Sequence, residues 1–130
     1  MASICEELQT YLLTQTGLTD LVGQRIYPAT LPQDTINPAV SYEVTNDSPE
    51  HTMSSDADNP RKPLITYNVW ADTYPSGQAV AEQIRTALMD KTGTLTTRVL
   101  QRIFWENQYD LYEDDTDTHH IVVDFIVWYT

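Results

Sequence analysis

The stretch Pro63–Asp90, PLITYNVWADTYPSGQAVAEQIRTALMD, decides the fold, because a strand pattern in it runs almost without a gap into a helix pattern. In Leu64–Ala71, Ile65, Tyr67, Val69 and Ala71 alternate with Leu64, Thr66, Asn68 and Trp70. That predicts a strand with the first set turned to a core. Asp72 and Thr73 offer side-chain oxygens to the free N–H groups of a helix start, and Pro75 suits a first turn. Gly77, Val80, Ala81, Ile84, Ala87 and Leu88 then recur as one apolar stripe, with Gln78, Glu82, Gln83, Arg85 and Thr86 mostly off it. A helix fed so directly by a strand has one nearby surface to bury, the sheet to which the strand belongs.

Toward the N-terminus, Ser3–Thr16 reads as a first helix. Ser3 and Glu6 form a capping-box pair, Glu7 favours the N-terminal dipole, and Ile4, Leu8, Tyr11 and Leu12 share a face. Gly17 is placed to end it. Leu18–Val22 reads as one short turn closed by Gly23, and Arg25–Tyr27 as a brief strand. Pro28, Pro32 and Pro38 keep the following segment extended and irregular. Ala39–Thr45 is the next strand, with Val40, Tyr42 and Val44 opposite Ser41, Glu43 and Thr45. Asn46–Lys62 is the longest polar run and holds a single large apolar residue, Met53, so it is expected to project as a long hairpin tip.

Toward the C-terminus, Thr92–Thr97 reads as a loop and Val99–Tyr109 as a strand with no clean face, the look of an edge or interface strand. The acidic turn Asp110–Thr118 follows. In His119–Tyr129 the residues Ile121, Val123, Phe125, Val127 and Tyr129 make an unbroken apolar face, which places this strand near the middle of the sheet. The fold class is therefore α+β. Residues 1–130 form one domain, a mainly antiparallel sheet of four to five strands with two helices on one face.

The 19 acidic and 7 basic residues leave a formal charge of −12, a surface that repels phosphate. Tight nucleic-acid binding is excluded; the charge serves solubility, or else forms an acidic wall that lets DNA pass without holding it. The lone cysteine, Cys5, forms no intrachain disulfide, reads as packing and suits a reducing cytoplasm. No apolar run nears the ~18 residues of a membrane span, and no signal peptide is read after Met1.

Neither a catalytic nor a metal site emerges, and no cofactor is implied. Adjacent His119 and His120 point to opposite faces of a strand and cannot share one ion. Glu113, Asp114, Asp115 and Asp117, like Asp56 and Asp58, lack the spacing and glycine of a calcium loop. No nucleophile elbow, phosphate loop or zinc-protease pattern occurs, and the acids Asp72, Glu82, Glu106 and Asp124 are scattered. Trp70, Trp105 and Trp128 fall on the less apolar faces of their strands. There they form either a second core layer under Arg25–Asn37 or a subunit contact.

Taken in order, LTDLVGQRIYPATLPQ (Leu18–Gln33), NPAVSYEV (Asn37–Val44), ITYNVWADTYPSGQAVAEQIRTAL (Ile65–Leu88) and YDLYEDDTDTHHIVVDFIVWY (Tyr109–Tyr129) follow one whole-domain plan. The chain resembles the tail-completion, or tail-terminator, proteins of long-tailed bacteriophages over almost its full length. The resemblance implies a structural virion protein assembled in the host cytoplasm. It implies a homo-oligomeric ring, usually a hexamer, that docks on the tail tube protein, stops tube growth and offers a surface to a head-completion or connector protein. DNA would pass through the opening, with no membrane involved. By the same analogy Asp47, Glu50, His51, Met53, Arg61, Lys62, Asp114 and Asp115 are ring-to-ring candidates, and Trp70, Arg102 and Trp105 are subunit-contact candidates. The alternatives are another neck component, such as a head-completion or stopper ring, or a monomeric metal- or ligand-binding module.

Overall fold

In the computed structural model the chain turns from strand to helix within two residues, at Asp72 and Thr73, and Thr73 Oγ1 accepts the Ser76 N–H at 3.3 Å. The structure describes residues 4–29, 31–32, 35–46, 61–89, 91–95, 98–114 and 117–129. Its elements are α1 (Ile4–Leu12), α2 (Thr16–Val22), β1 (Ile26–Pro28), β2 (Ala39–Asn46), β3 (Leu64–Ala71), α3 (Tyr74–Leu88), β4 (Gly93–Thr94), β5 (Val99–Glu113) and β6 (Thr118–Tyr129). The strands form one sheet in the order β1-β2-β3-β6-β5-β4. The apolar β6 lies inside it, between β3 and β5, as its pattern requires.

The odd-numbered residues of β3 and β6 face the helices. Ile65, Tyr67, Val69 and Ala71 and their β6 neighbours Ile121, Val123, Phe125 and Val127 are fully buried. Onto them pack Leu8 and Leu12 of α1, Leu18 and Val22 of α2, and Val80, Ile84 and Leu88 of α3. Each such side chain contributes roughly 1.5–3 kcal/mol by leaving water. Gly77 is in the stripe for a steric reason. A Cβ there would lie 2.7 Å from Ile121 Cδ1 and 3.4 Å from Ala71 Cβ, so glycine lets α3 approach the sheet closely.

The count of elements differs from the expectation. Among the described residues there are three helices and six strands, these helices lie on one face, and β1 runs parallel to β2. The other four pairings are antiparallel. The parallel pair arises because the Ala29–Pro38 connection carries the chain back along the sheet, so Ile26 pairs with Val40 and Pro28 with Tyr42. The first helix also stops early, at Leu12, and Gln15 is extended (φ −89°, ψ 105°) before α2 begins. Gly17 therefore lies inside α2 and does not end α1. Leu12 and Leu18, on either side of the break, are both fully buried. Gly23 closes α2 at φ 60°. Within the expected loop, Gly93–Thr94 form a two-residue strand on Leu100 and Val99.

Candidate interaction surfaces

The even-numbered residues of β3 and β6 make an outer face that none of the described helices covers. Ladder register places two expected contact segments relative to it. The connection between β2 and β3 leaves and re-enters at Asn46 and Leu64, level with Ile126. The β5–β6 turn sits beyond Glu113 and Thr118, next to His119 and Ala71. Seven residues of β3 separate the two levels, roughly 23 Å at strand rise. The two loops thus leave opposite ends of the sheet.

Charge follows the same axis. Arg61 and Tyr129 exchange backbone hydrogen bonds of 2.7 and 2.9 Å, and Lys62 Nζ lies 5.5 Å over the Trp128 ring. Arg102 pairs with Trp128 across the ladder and covers Phe104 at 5.0 Å. These three cations mark the end from which the β2–β3 connection springs. At the other end stand Asp72, Asp110, Asp114 and Asp117. Gln78 Nε2 bonds both Asp110 oxygens at 3.2 and 3.3 Å, and Asn37 Nδ2 donates to Asp72 Oδ1 at 2.9 Å. Tyr112 donates to Asp117 Oδ1 at 2.7 Å, and that bond leads the causes that raise its pKa above the ordinary tyrosine value. Asp114 is exposed in the turn. Asp47, Glu50, His51, Met53 and Asp115 lie outside the described residues.

Trp70, Arg102 and Trp105 do not form one patch. Trp70 stands level with His120 and Arg102 level with Trp128, eight β6 residues apart, roughly 27 Å. Trp105 pairs with Phe125 and so lies on the helix side, where Arg85 of α3 covers it at 4.9 Å. Register shifts at Leu100/Arg102 and Trp105/Asn107 break the alternation that the sequence suggests for β5. A second consequence is that β5 shows apolar groups on both faces. Phe104, Tyr109 and Leu111 are exposed outside, Trp105 and Tyr112 on the helix side, and Val99 at its start. These six are among eleven exposed large apolar residues in the described chain. Composition of β5 hinted at this; only the register shows which face each residue takes.

His119 and His120 diverge as strand geometry requires. His119 meets Tyr74 and Tyr112 on the helix side, with ring centroids at 6.0 and 5.1 Å. His120 stacks on Trp70 outside, with centroids 3.9 Å apart, and its Nε2 is 2.8 Å from Asn68 Oδ1. That stack forms part of a cavity of about 500 Å³. Its floor is the outer face, with Ser41, Asn68, Trp70, Thr118 and His120, and Glu43 also lines it. Ala29, Leu31 and Asn37 of the β1–β2 connection wall it in. Trp70 lies beside the irregular connection and lines the cavity, half-buried. The cavity itself was not legible in the sequence, because it depends on where that connection crosses the sheet.

Residues 6–130 match the family described as tail completion protein gp17. No curated protein matches the chain. Among solved structures, a chain from the virion of a native gene transfer agent particle superposes with a TM-score of 0.79 at 17% identity, over 99% of this chain and 98% of that one. The two therefore share a fold.

Proposed function

The chain belongs to the tail completion protein gp17 family and is a structural protein of the phage tail; from that premise we propose that it forms a ring, six-fold by analogy, that caps the tail tube. In this reading the ring ends tube elongation, presents its far side to a head-completion or connector protein, and performs no catalysis. DNA crosses its opening, and the formal charge of −12 keeps the wall from binding it.

The observation that carries the reading is the exposed apolar row on β5. Aromatic and aliphatic groups exposed along one strand mark a protein contact, since such residues anchor interfaces when a partner excludes water. The separation of the two connecting loops to opposite ends of the sheet supports it further. A protein that meets the tube on one side and the head on the other needs two distinct, distant surfaces. Arg61, Lys62 and the β2–β3 connection would serve one of them, and the turn with Asp114 the other.

The test is the solution mass by light scattering, of the protein alone and then with assembled tail tubes. A ring-sized species, or a species formed on tubes that halts their lengthening, supports the reading. A protein that stays monomeric and leaves tube growth unchanged overturns it.

A further inference from the structure

The cavity on the outer face holds an unpaired carboxylate beside stacked aromatic rings, and its chemistry selects an occupant. Glu43 stands opposite Thr66 in the β2–β3 ladder and lines the cavity. It is exposed and makes no ion pair or hydrogen bond within the described residues. None of the chain's seven lysines and arginines lines the space. The Trp70 and His120 rings stack face to face with planes inclined by 14°, which leaves the other face of the indole for a guest, and Leu31 lines the space from the connection. Asn68 and Asn37 add polar groups at the edges.

We propose that this cavity is a receptor site for an arginine side chain presented by another virion protein. A guanidinium is flat enough to lie against the indole and forks toward a carboxylate, whereas a lysine ammonium is a compact point charge that gains less from the ring. The chain itself places cations of both kinds on rings. Lys62, Arg85, Lys91, Arg98 and Arg102 each lie over an aromatic ring, at 4.7 to 5.8 Å from its centroid. Five of the chain's seven cations are thus placed on its own rings and Arg25 donates to the Pro38 and Leu21 carbonyls, so few remain for Glu43 of a second copy. The formal charge of −12 steers a basic partner to this surface and disfavours a copy of the same chain. A cavity of about 500 Å³ is ample for one extended side chain with its flanking backbone. That the guest belongs to a virion protein rests on the tail-completion reading; that the cavity takes a guanidinium does not.

The test follows the indole N–H resonance of Trp70 in the ¹⁵N-labelled full chain, assigned by Trp70→Phe, during titration with N-acetyl-arginine amide. N-acetyl-citrulline amide, the uncharged analogue, is the control. The expected result is a saturable shift in the millimolar range, weaker for the citrulline compound and weakened about five-fold by Glu43→Gln, in keeping with one partly exposed ion pair. Glu43 is at the surface, so its neutral variant keeps the fold. No saturable shift, or an equal shift with citrulline or with Glu43→Gln, overturns the proposal. Tube capping is scored separately on the same preparation. Capping without arginine binding removes the cavity site alone, and arginine binding without capping removes the ring reading alone.

Discussion

Trp70 and His120 lie face to face across the β3–β6 ladder, with ring centroids 3.9 Å apart and planes inclined by 14°. The stack closes the outer face of the sheet beside the β1–β2 connection, while Asn68 fixes the imidazole through Nε2. His120→Ala is expected to cost about 1–2 kcal/mol, from lost ring contact and burial. His120→Phe should recover part of it. Urea unfolding followed by circular dichroism measures both, and an unchanged midpoint in His120→Ala would show that the stack contributes nothing.

Gly77 and Ile121 set the distance between α3 and the sheet. Gly77→Ala gains about 1 kcal/mol of helix propensity, but its methyl would sit 2.7 Å from Ile121 Cδ1 in a filled core. Overpacking of that kind costs about 1–3 kcal/mol, so the variant is expected to be less stable despite the better helix former. Ile121→Val removes the clashing carbon. The double variant should therefore be more stable than the two single losses added together, and simple additivity in a double-mutant cycle would refute the contact.

Glu7 of α1 is almost fully buried and pairs with Arg98, the residue before β5. Arg98→Met leaves that carboxylate inside without its cation, and a loss of about 3–5 kcal/mol is expected. Glu7→Gln with Arg98→Met should regain much of it, because the double variant strands no charge. Thermal unfolding of the single and double variants decides the point. Equal losses would mean that Arg98 acts only by covering Tyr129, whose ring centre is 5.8 Å away.

These contacts also show what a single sequence can and cannot reveal. β3, α3 and β6 were legible because each carries a regular period that ends at a turn former, and Leu64–Ala71 is bounded as its alternation indicates. α2 was legible only as a shorter turn, because Gly17 looks like a stop signal and Leu13–Gln15 gives no sign that the first helix breaks there. The bulges in β5 break its alternation, so Trp105, on the less apolar face of the sequence pattern, takes the helix side of the sheet together with Ile103. The cavity, and the pairing of Glu7 with Arg98 across 91 positions, come from tertiary placement and leave no local mark. The candidate loop residues could be named from charge and polarity. Their location at opposite ends of the sheet required the register.

Tyr67, Tyr42 and Tyr11 tie stability to high pH. Tyr67 is wholly buried between Tyr42 and Phe125, at centroid distances of 6.0 and 5.9 Å, and burial pushes its pKa well above 10.0. Burial likewise raises Tyr42 and Tyr11. A raised folded pKa means that the unfolded chain loses these protons first. The stabilisation is whole below pH 10 and falls as pH rises past it, by up to about 1.4 kcal/mol per pH unit for the buried Tyr67 and by much less for Tyr42 and Tyr11, where solvent screens the charge. Unfolding midpoints should therefore drop above pH 10, and Tyr67→Phe should make the drop shallower. An identical pH dependence in Tyr67→Phe would remove Tyr67 from this role.

The β5 row separates assembly from folding. Tyr109 and Leu111 pair with Val122 and His120 on the outer face and remain 48% and 45% exposed, so little of the fold depends on them. Tyr109→Ser with Leu111→Ser is expected to change monomer stability by no more than about 1 kcal/mol, as exposed substitutions do. If this strand is a ring contact, the same change removes buried anchors in the assembled state. Each anchor is worth about 1–2 kcal/mol or more there, so the concentration needed to cap tubes should rise at least about ten-fold. Val44→Ser is the matched control, because Val44 is 44% exposed on β2, on the far side of β3 and β6 from β5. Capping that is lost in the β5 variant and kept in Val44→Ser assigns the contact to β5. Capping kept in both would move the ring interface to another surface.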